Sequence, residues 1–316
     1  MASKTLLSVV FSFRNEERNI PELMTRLDTV LRKNDLVNYE AIFVNDASTD
    51  NSLFILQELQ GRYPITIVNT SRKFGVTPCV LAGFAVAKGD AIVYMDSDLQ
   101  DPPEIIPEML ERYWGGADVV HTTRTHREGE GWLKMLATKL AYKLINKFSD
   151  INLVENTGDY KLLSRRVVSK ILDLPEYDPY MRGLSVWVGF NQEYIKYKRD
   201  SRWGGETKFP LFSKGPAKEF IRGITSYSAA PLYISLILGL LVTAATLVSI
   251  MYAVVIKIAG VSAPGVPSLL ILISAIGGAI MLSNGIIGIY IAKIYYEVKG
   301  RPRTIIESVI TPNDNS

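Results

Sequence analysis

Ala91-Ile-Val-Tyr-Met-Asp-Ser-Asp-Leu-Gln-Asp-Pro-Pro103 decides the fold of this chain. Five apolar residues form a run of strand length that leads straight into acidic residues. The run predicts a buried strand with Asp96 and Asp98 at its tip. Two carboxylates this close repel one another unless a cation lies between them. Hard oxygen donors suit Mg²⁺ or Mn²⁺, and Mg²⁺ commonly shares its coordination with substrate phosphates. An isolated Asp-x-Asp is usually a solvated turn. At the end of an apolar strand it points instead to a metal–diphosphate site.

The same pattern continues on the N-terminal side. Leu6–Phe13, Glu40–Val44 and Ile65–Asn69 are strand-like, and Ala117–Val120 follows as another. Asn19–Lys33, Ser52–Arg62 and Pro78–Ala87 have helical patterns, the second opened by the capping residues Ser48-Thr49-Asp50. Strand–helix alternation at this spacing implies βαβ units and a mostly parallel sheet. Ligands of such sheets bind beyond the carboxyl ends of the strands. Three polar clusters fall there: Arg14-Asn-Glu-Glu17, Asn45-Asp-Ala-Ser-Thr-Asp50 and Asp96-Ser-Asp98. The sequence has no Gly-x-Gly-x-x-Gly and no phosphate-binding Gly-Lys-Ser/Thr loop, which removes the best evidence for NAD binding or ATP hydrolysis. No internal repeat is visible.

The C-terminal third differs in composition. Of the 316 residues, 47% are hydrophobic and 21% charged, yet Lys257 is the only charge between Ala230 and Ala292. Leu232–Ile256 and Ser268–Ala292 are each about 25 residues long, enough to cross a bilayer as helices. A Gly- and Pro-containing loop joins them. Lys214, Lys218 and Arg222 precede this hairpin and Lys293, Lys299, Arg301 and Arg303 follow it, so the positive-inside rule puts both termini in the cytoplasm. Leu6–Phe13 reads as a strand and not as a signal peptide. The net charge of +3 gives little support for nucleic-acid binding, and the single Cys79 excludes an internal disulfide. Gly277, Gly278, Ser283, Gly285 and Gly288 allow close helix approach and suggest a homo-oligomer.

Six ordered motifs carry a family resemblance: Ser8-Val-Val-Phe-Ser-Phe-Arg-Asn-Glu-Glu17, Val44-Asn-Asp-Ala-Ser-Thr-Asp50, Ser71-Arg-Lys-Phe-Gly75, Met95-Asp-Ser-Asp-Leu-Gln-Asp-Pro-Pro-Glu104, Gly158-Asp-Tyr-Lys-Leu-Leu-Ser-Arg165 and Gly205-Glu-Thr-Lys-Phe209. With the hairpin and Glu297-Val-Lys-Gly-Arg-Pro302, the chain resembles family 2 glycosyltransferases of the polyprenyl-phosphate branch. That branch includes bacterial undecaprenyl-phosphate glucosyltransferases and is related to dolichol-phosphate mannose synthases. Ser12, Arg14, Asn45 and Lys73 depart from the usual Pro, Tyr, Asp and Asn.

The resemblance implies an α/β fold of the GT-A type: a Rossmann-like, mostly parallel sheet in a cytoplasmic domain, followed by a C-terminal transmembrane hairpin. The expected layout is a GT-A domain over 1–210, an amphipathic juxtamembrane segment over 211–229 interrupted at Gly215-Pro216, two transmembrane helices over 230–292 and a cytoplasmic tail over 293–316. The implied enzyme is an inverting hexosyltransferase of the inner membrane. It moves a sugar from a UDP-sugar, with UDP-glucose favoured, to undecaprenyl phosphate for cell-envelope glycosylation. A mannosyl or modified-arabinosyl transferase and an inactive nucleotide-sugar scaffold are the alternatives.

The resemblance places the nucleotide sugar at Phe11, Phe13, Glu17, Asp46, Lys73 and Asp96. Asp46 suits the imide N–H of uracil, or is a turn residue. Glu17 suits ribose hydroxyls, or is a helix N-terminal charge. Asp98 is the expected metal ligand and a catalytic residue, and Asp96 holds metal or ribose. Asp159 matches the residue usually named as the family's catalytic base; alternatively it caps a helix beginning near Leu162. A phosphate monoester has a second pKa of about 6, so at neutral pH it needs little deprotonation, and Asp159 could orient a substrate instead. Arg202 and Lys208 are candidates for the acceptor phosphate, or part of a basic cluster drawn to anionic lipid. Arg165 and Lys161 are next in line. His121 and His126 read as ordinary polar residues.

Overall fold

The computed structural model describes residues 5–32, 37–125, 157–198, 214–260 and 265–312, with isolated positions between 143 and 154. Arg202, Lys208 and His126 lie outside the described residues. The amino-terminal part alternates as the apolar runs require: β1 (Thr5–Phe13), α1 (Ile20–Arg32), β2 (Val37–Asn45), α2 (Ser52–Gln60), β3 (Ile65–Thr70), α3 (Val76–Val86) and β4 (Ala91–Tyr94). Then follow α4 (Ile106–Trp114), β5 (Val119–Arg124), β6 (Thr157–Ser164), α5 (Arg165–Asp173), α6 (Met181–Trp187) and β7 (Gln192–Tyr197). The carboxyl-terminal part is α7 (Lys214–Tyr227), α8 (Ala230–Ile258), α9 (Val266–Lys299) and β8 (Ile306–Ile310).

The eight strands form one sheet in the order β7-β5-β6-β4-β1-β2-β3-β8. β1 pairs in parallel with both β2 and β4, β2 with β3, and β5 with β7, whereas β6 and β8 run antiparallel to their neighbours. The sheet is thus the mixed, mostly parallel α/β sheet expected. Its strand order reverses at β1: β2 and β3 lie to one side and β4 to the other. This switch point is where an open α/β sheet leaves a crevice.

Side-chain parity decides what each face of β1 meets. Leu7, Val9, Phe11 and Phe13 pack with α1 and α4 through Leu23, Leu27, Ile106 and Leu110. Val10 faces the other way, with Val80 and Phe84 of α3, Val167 of α5 and Leu184 of α6. A Cβ on Gly83 would lie 2.4 Å from Val10 Cγ1, so only glycine lets α3 approach β1 this closely.

Four local outcomes differ from the sequence expectations. Residues 157–164 are strand, so Asp159 is not a cap on a helix starting near Leu162; the helix begins at Arg165. Gly215-Pro216 does not interrupt a helix, because α7 begins at Lys214 and a proline is tolerated in a first turn. The second long helix continues beyond Ala292 to Lys299, where Gly300 ends it in the left-handed conformation. Beyond it the chain does not trail off, because β8 completes the sheet edge beside β3.

Two stretches, Ala230–Ile256 and Ala275–Lys299, are long and apolar enough to cross a membrane. Their described residues are almost all unburied, whereas a core helix of a soluble protein would bury an apolar stripe.

Candidate active site

The three polar strand ends come together at the switch point. The loops after β1 and β2 are laced by reciprocal hydrogen bonds. Asn15 N–H donates to Ser48 Oγ at 3.1 Å, and Thr49 N–H donates to Asn15 Oδ1 at 2.8 Å. Glu16 N–H donates to Ser52 Oγ at 2.9 Å. Glu17 N–H donates to Asp50 Oδ2 at 3.2 Å, while Asn51 N–H donates to Glu17 Oε2 at 3.1 Å. Among the described residues four non-glycines have a positive φ, and three of them mark these strand ends: Asn15 (56°), Ala47 (52°) and Leu99 (60°). Left-handed backbone costs energy outside glycine and gathers at functional sites.

Asp46 reaches across to the loop before α3. Its Oδ1 accepts the N–H of Phe74 at 2.6 Å, and its Oδ2 accepts that of Gly75 at 3.1 Å. The Ser71–Gly75 motif and the Asn45–Asp50 motif are therefore one unit, and Lys73 stands exposed on its rim. Phe11 and Phe13 have a different placement. Both rings are buried against Phe43, with Phe11 stacked at 4.6 Å, on the α1 and α4 side of the sheet. With 0% and 2% of their surface exposed, Phe11 and Phe13 are core residues beneath the strand ends.

At the tip of β4, Asp96 is partly exposed and Asp98 is buried. Tyr94 donates its hydroxyl to Asp96 Oδ1 at 3.3 Å, and Gln100 N–H donates to Asp98 Oδ1 at 3.2 Å. Burial and the carboxylates of Asp96 and Asp159 push the Tyr94 phenol well above its usual range, keeping it a donor. The donor set fits a hard divalent cation. Two carboxylates come from one strand end, and among the described residues no third His, Cys, Asp or Glu side chain joins them. Two protein carboxylates with further positions open to phosphate and water is the ligation Mg²⁺ favours.

Asp159 sits on β6 and faces α6. Arg182 of α6 clamps it: Nε donates to Oδ1 at 3.0 Å and Nη2 to Oδ2 at 2.6 Å. Burial pushes the Asp159 carboxyl up, but Arg182, Lys161 and Arg124 outweigh it and bring the pKa down to about 2. Lys161 is two residues along the same strand face. Its ammonium is buried, pulled down to about 8, and donates to Ser185 Oγ of α6 at 2.8 Å. Two polar ties thus hold α6 onto β6. A cleft of about 470 Å³ is lined by Tyr94, Asp96, Asp159, Arg182, Asp178 and Arg222, with the Phe74–Pro78 segment as one wall.

The structure therefore joins Asp96, Asp159 and the Asp46-bound loop at one cleft, with Asp98 in the turn behind Asp96. It keeps the rings of Phe11 and Phe13 out of it. Arg165 is directed elsewhere, donating to Gly89 O. His121 is a buried core residue, stacked on Tyr194 with its ring centroid 4.9 Å away. Arg182, Tyr94 and Asp178 escaped the sequence reading. Arg182 is 23 residues from Asp159 and carries no motif of its own; only the pairing of α6 with β6 shows its role.

The glycosyl transferase family 2 profile matches residues 8–172. The chain is 39% identical over 302 residues to the glycosyltransferase YkcC of Bacillus subtilis, spanning 95% of this chain and 93% of that one. It is 37% identical over 307 residues to a prophage bactoprenol glucosyl transferase homolog of Escherichia coli, covering 96% and 99% of the two chains. A bactoprenol glucosyl transferase derived from the SfII prophage of Shigella flexneri is 36% identical over 305 residues, covering 95% and 97%. Motifs, sheet and full-length similarity agree: the chain belongs to glycosyl transferase family 2.

Proposed function

We propose that this glycosyltransferase moves a sugar, with glucose first among candidates, from a UDP-sugar to undecaprenyl phosphate. The observation that carries this reading is similarity extending through the hairpin to proteins named bactoprenol glucosyl transferase. Asp46, Glu17, Lys73 and the β1 end around Phe11 and Phe13 form the donor side, with the two phenylalanines supporting it from beneath. Asp98 and Asp96 would hold Mg²⁺ or Mn²⁺, which would supply charge stabilisation for a departing nucleoside diphosphate. The acceptor phosphate attacks the anomeric carbon as a dianion, so Asp159, locked to Arg182, orients substrate and does not take up a proton. Arg202 and Lys208 remain candidates for contacts to that phosphate.

In this reading the layout is a GT-A domain over 1–210, a juxtamembrane segment over 211–229, two spans over 230–292 and a returning segment over 293–316. The hairpin crosses the inner membrane with the catalytic domain and both termini in the cytoplasm, and small residues along α9 support a homo-oligomer. The test is direct. Full-length protein in detergent is incubated with a panel of nucleotide sugars and undecaprenyl phosphate, and the lipid product is weighed by mass spectrometry. A hexosyl prenyl phosphate made from UDP-glucose supports the proposal. Product from GDP-mannose alone would transfer the enzyme to the mannosyl class, and no lipid product from any donor would end the acceptor assignment.

A further inference from the structure

We propose that Arg222 of α7, together with Arg182 of α6, forms the seat of the acceptor phosphate, and that Asp178 holds Arg222 until the phosphate displaces it. This rests on the reading above that the acceptor is a prenyl phosphate. A dianion brought to the sugar needs cations in the cleft, and among the described residues lining it the cations are Arg182 and Arg222. Among the described residues each guanidinium is gripped by a carboxylate. Arg222 Nε donates to Asp178 Oδ2 at 3.0 Å, and its Nη2 lies 2.7 Å from Oδ1. The fork that fits a carboxylate also fits two phosphate oxygens.

Placement makes Arg222 the entry contact. It lies eight residues before Ala230, where the first membrane-length helix begins. At 1.5 Å per residue that is roughly 12 Å along the chain axis, within reach of a lipid headgroup. Asp178 lines both the catalytic cleft and a neighbouring groove of about 700 Å³ that opens beside Thr225, Ser226, Ala292 and Lys293. The Arg222–Asp178 pair therefore stands where the route from the membrane end of α9 meets the cleft. Within the pair the carboxylate is the more accessible partner: the Asp178 side chain is 47% exposed and that of Arg222 17%. An incoming anion can replace Asp178 while Arg222 stays in position.

The spacing of the two arginines is set by packing. Tyr227, at the end of α7, donates its hydroxyl to Tyr180 O at 3.1 Å. Its ring lies over Gly183, so tightly that a Cβ there would come within 2.2 Å of Tyr227 Cε2. Arg182 is next to Gly183, so α7 and its Arg222 are docked directly on the turn that presents Arg182.

The experiment uses full-length protein with UDP-glucose and two acceptors, undecaprenyl phosphate in nanodiscs and a short, water-soluble prenyl phosphate. Arg222→Ala is expected to raise the acceptor KM about tenfold or more for both acceptors, the loss typical of a charged hydrogen-bonding partner. UDP affinity by calorimetry should be unchanged. Arg222→Lys, which keeps the charge and loses the fork, should recover only part of the loss, and it replaces Arg222→Ala if that variant does not fold. Asp178→Asn should lower the acceptor KM, because it removes the competing anion. An effect confined to the bilayer acceptor would make Arg222 a general lipid anchor and overturn the proposal. So would equal increases for Arg222→Ala and Asp178→Asn, the signature of a structural clamp, or an unchanged KM in Arg222→Lys. Absence of any lipid-linked product from the unmutated enzyme would remove the acceptor reading, and this seat with it.

Discussion

Asp159→Asn separates a proton-accepting from an orienting role at the centre of the cleft. In the folded protein burial pushes the Asp159 carboxyl up, but the Arg182 clamp outweighs it and brings it down to about 2 from an ordinary 3.8. One pKa unit corresponds to about 1.4 kcal/mol, so the depression is worth roughly 2 kcal/mol of folding stability once partial solvent access is allowed for. The sign follows from linkage: a lowered carboxyl pKa stabilises the fold above the unfolded value of about 4, and that contribution is lost as pH falls toward 2. The variant should therefore unfold more easily near neutral pH by about that amount, while the difference from the parent shrinks in acid. Its kinetic consequence is the sharper one. A carboxylate this acidic is a poor proton acceptor, whereas the acceptor phosphate gains its second charge at about pH 6. The acid limb of kcat/KM should fall near that value in the parent and stay there in Asp159→Asn, though overall turnover drops because Arg182 is released. Replacing the acceptor by a phosphonate of higher second pKa should move the limb upward in both enzymes. An acid limb that disappears in Asp159→Asn, or that ignores the acceptor's pKa, would refute the orienting role and restore the general base.

Three further outcomes follow from the geometry. Asp98→Asn should preserve the thermal unfolding profile and cut turnover strongly, as should chelation of the unmutated enzyme; full activity in excess chelator would eliminate the metal. Gly183→Ala drives a methyl into the Tyr227 ring and should cost on the order of 1–3 kcal/mol in denaturant unfolding, with no loss expected if the ring could swing aside freely. Removing residues 305–316 deletes β8 and the carbonyl of Ile305 that accepts Ser71 N–H at 3.0 Å, at the start of the loop bound to Asp46. UDP affinity should fall several-fold by calorimetry, and an unchanged affinity would show that the donor loop does not depend on the strand.

Much of this site was legible because parallel strands announce themselves locally. β2 and β4 lead through apolar residues to acid or amide at their ends, and the sheet rule alone sends those ends to one crevice. Asp96, Asp98 and Asp46 could be found in this way. Phe11 and Phe13 could not be placed without side-chain parity: a motif shows which strand end is used, but the pleat decides which residues turn into the core. Arg182, Asp178 and Arg222 depend on how α6 and α7 dock, and no periodicity in the sequence encodes that contact. The strand β8 was hidden for a simpler reason. Five residues after a long apolar helix look like a tail, and their partners on β3 are some 240 positions away.

That returning strand bears on the membrane arrangement independently of the basic residues. β1 to β7 precede the two long helices and β8 follows them, yet all eight strands share one hydrogen-bonded sheet. Asn69 Nδ2 donates to Ser308 Oγ at 3.0 Å, and Gln60 Nε2 donates to Ile310 O at 3.1 Å. A chain that leaves a sheet, crosses a bilayer and rejoins the same sheet must cross an even number of times. Among the described residues the segments long enough to do so number two, which satisfies the condition. The end of α9 is also fixed to the catalytic domain. Tyr296 stacks on Tyr177 at 5.3 Å, Glu297 Oε1 accepts Tyr177 N–H at 2.8 Å, and Lys293 donates to Ser226 Oγ at 3.1 Å. Tyr177 is the neighbour of Asp178, so the helix that would leave the bilayer buttresses the loop carrying the carboxylate partner of Arg222. A hairpin serving only as a tether would need no such contact. In the proposed arrangement this docking would set the height of the cleft above the membrane, and with it the depth from which a lipid phosphate would reach Arg182.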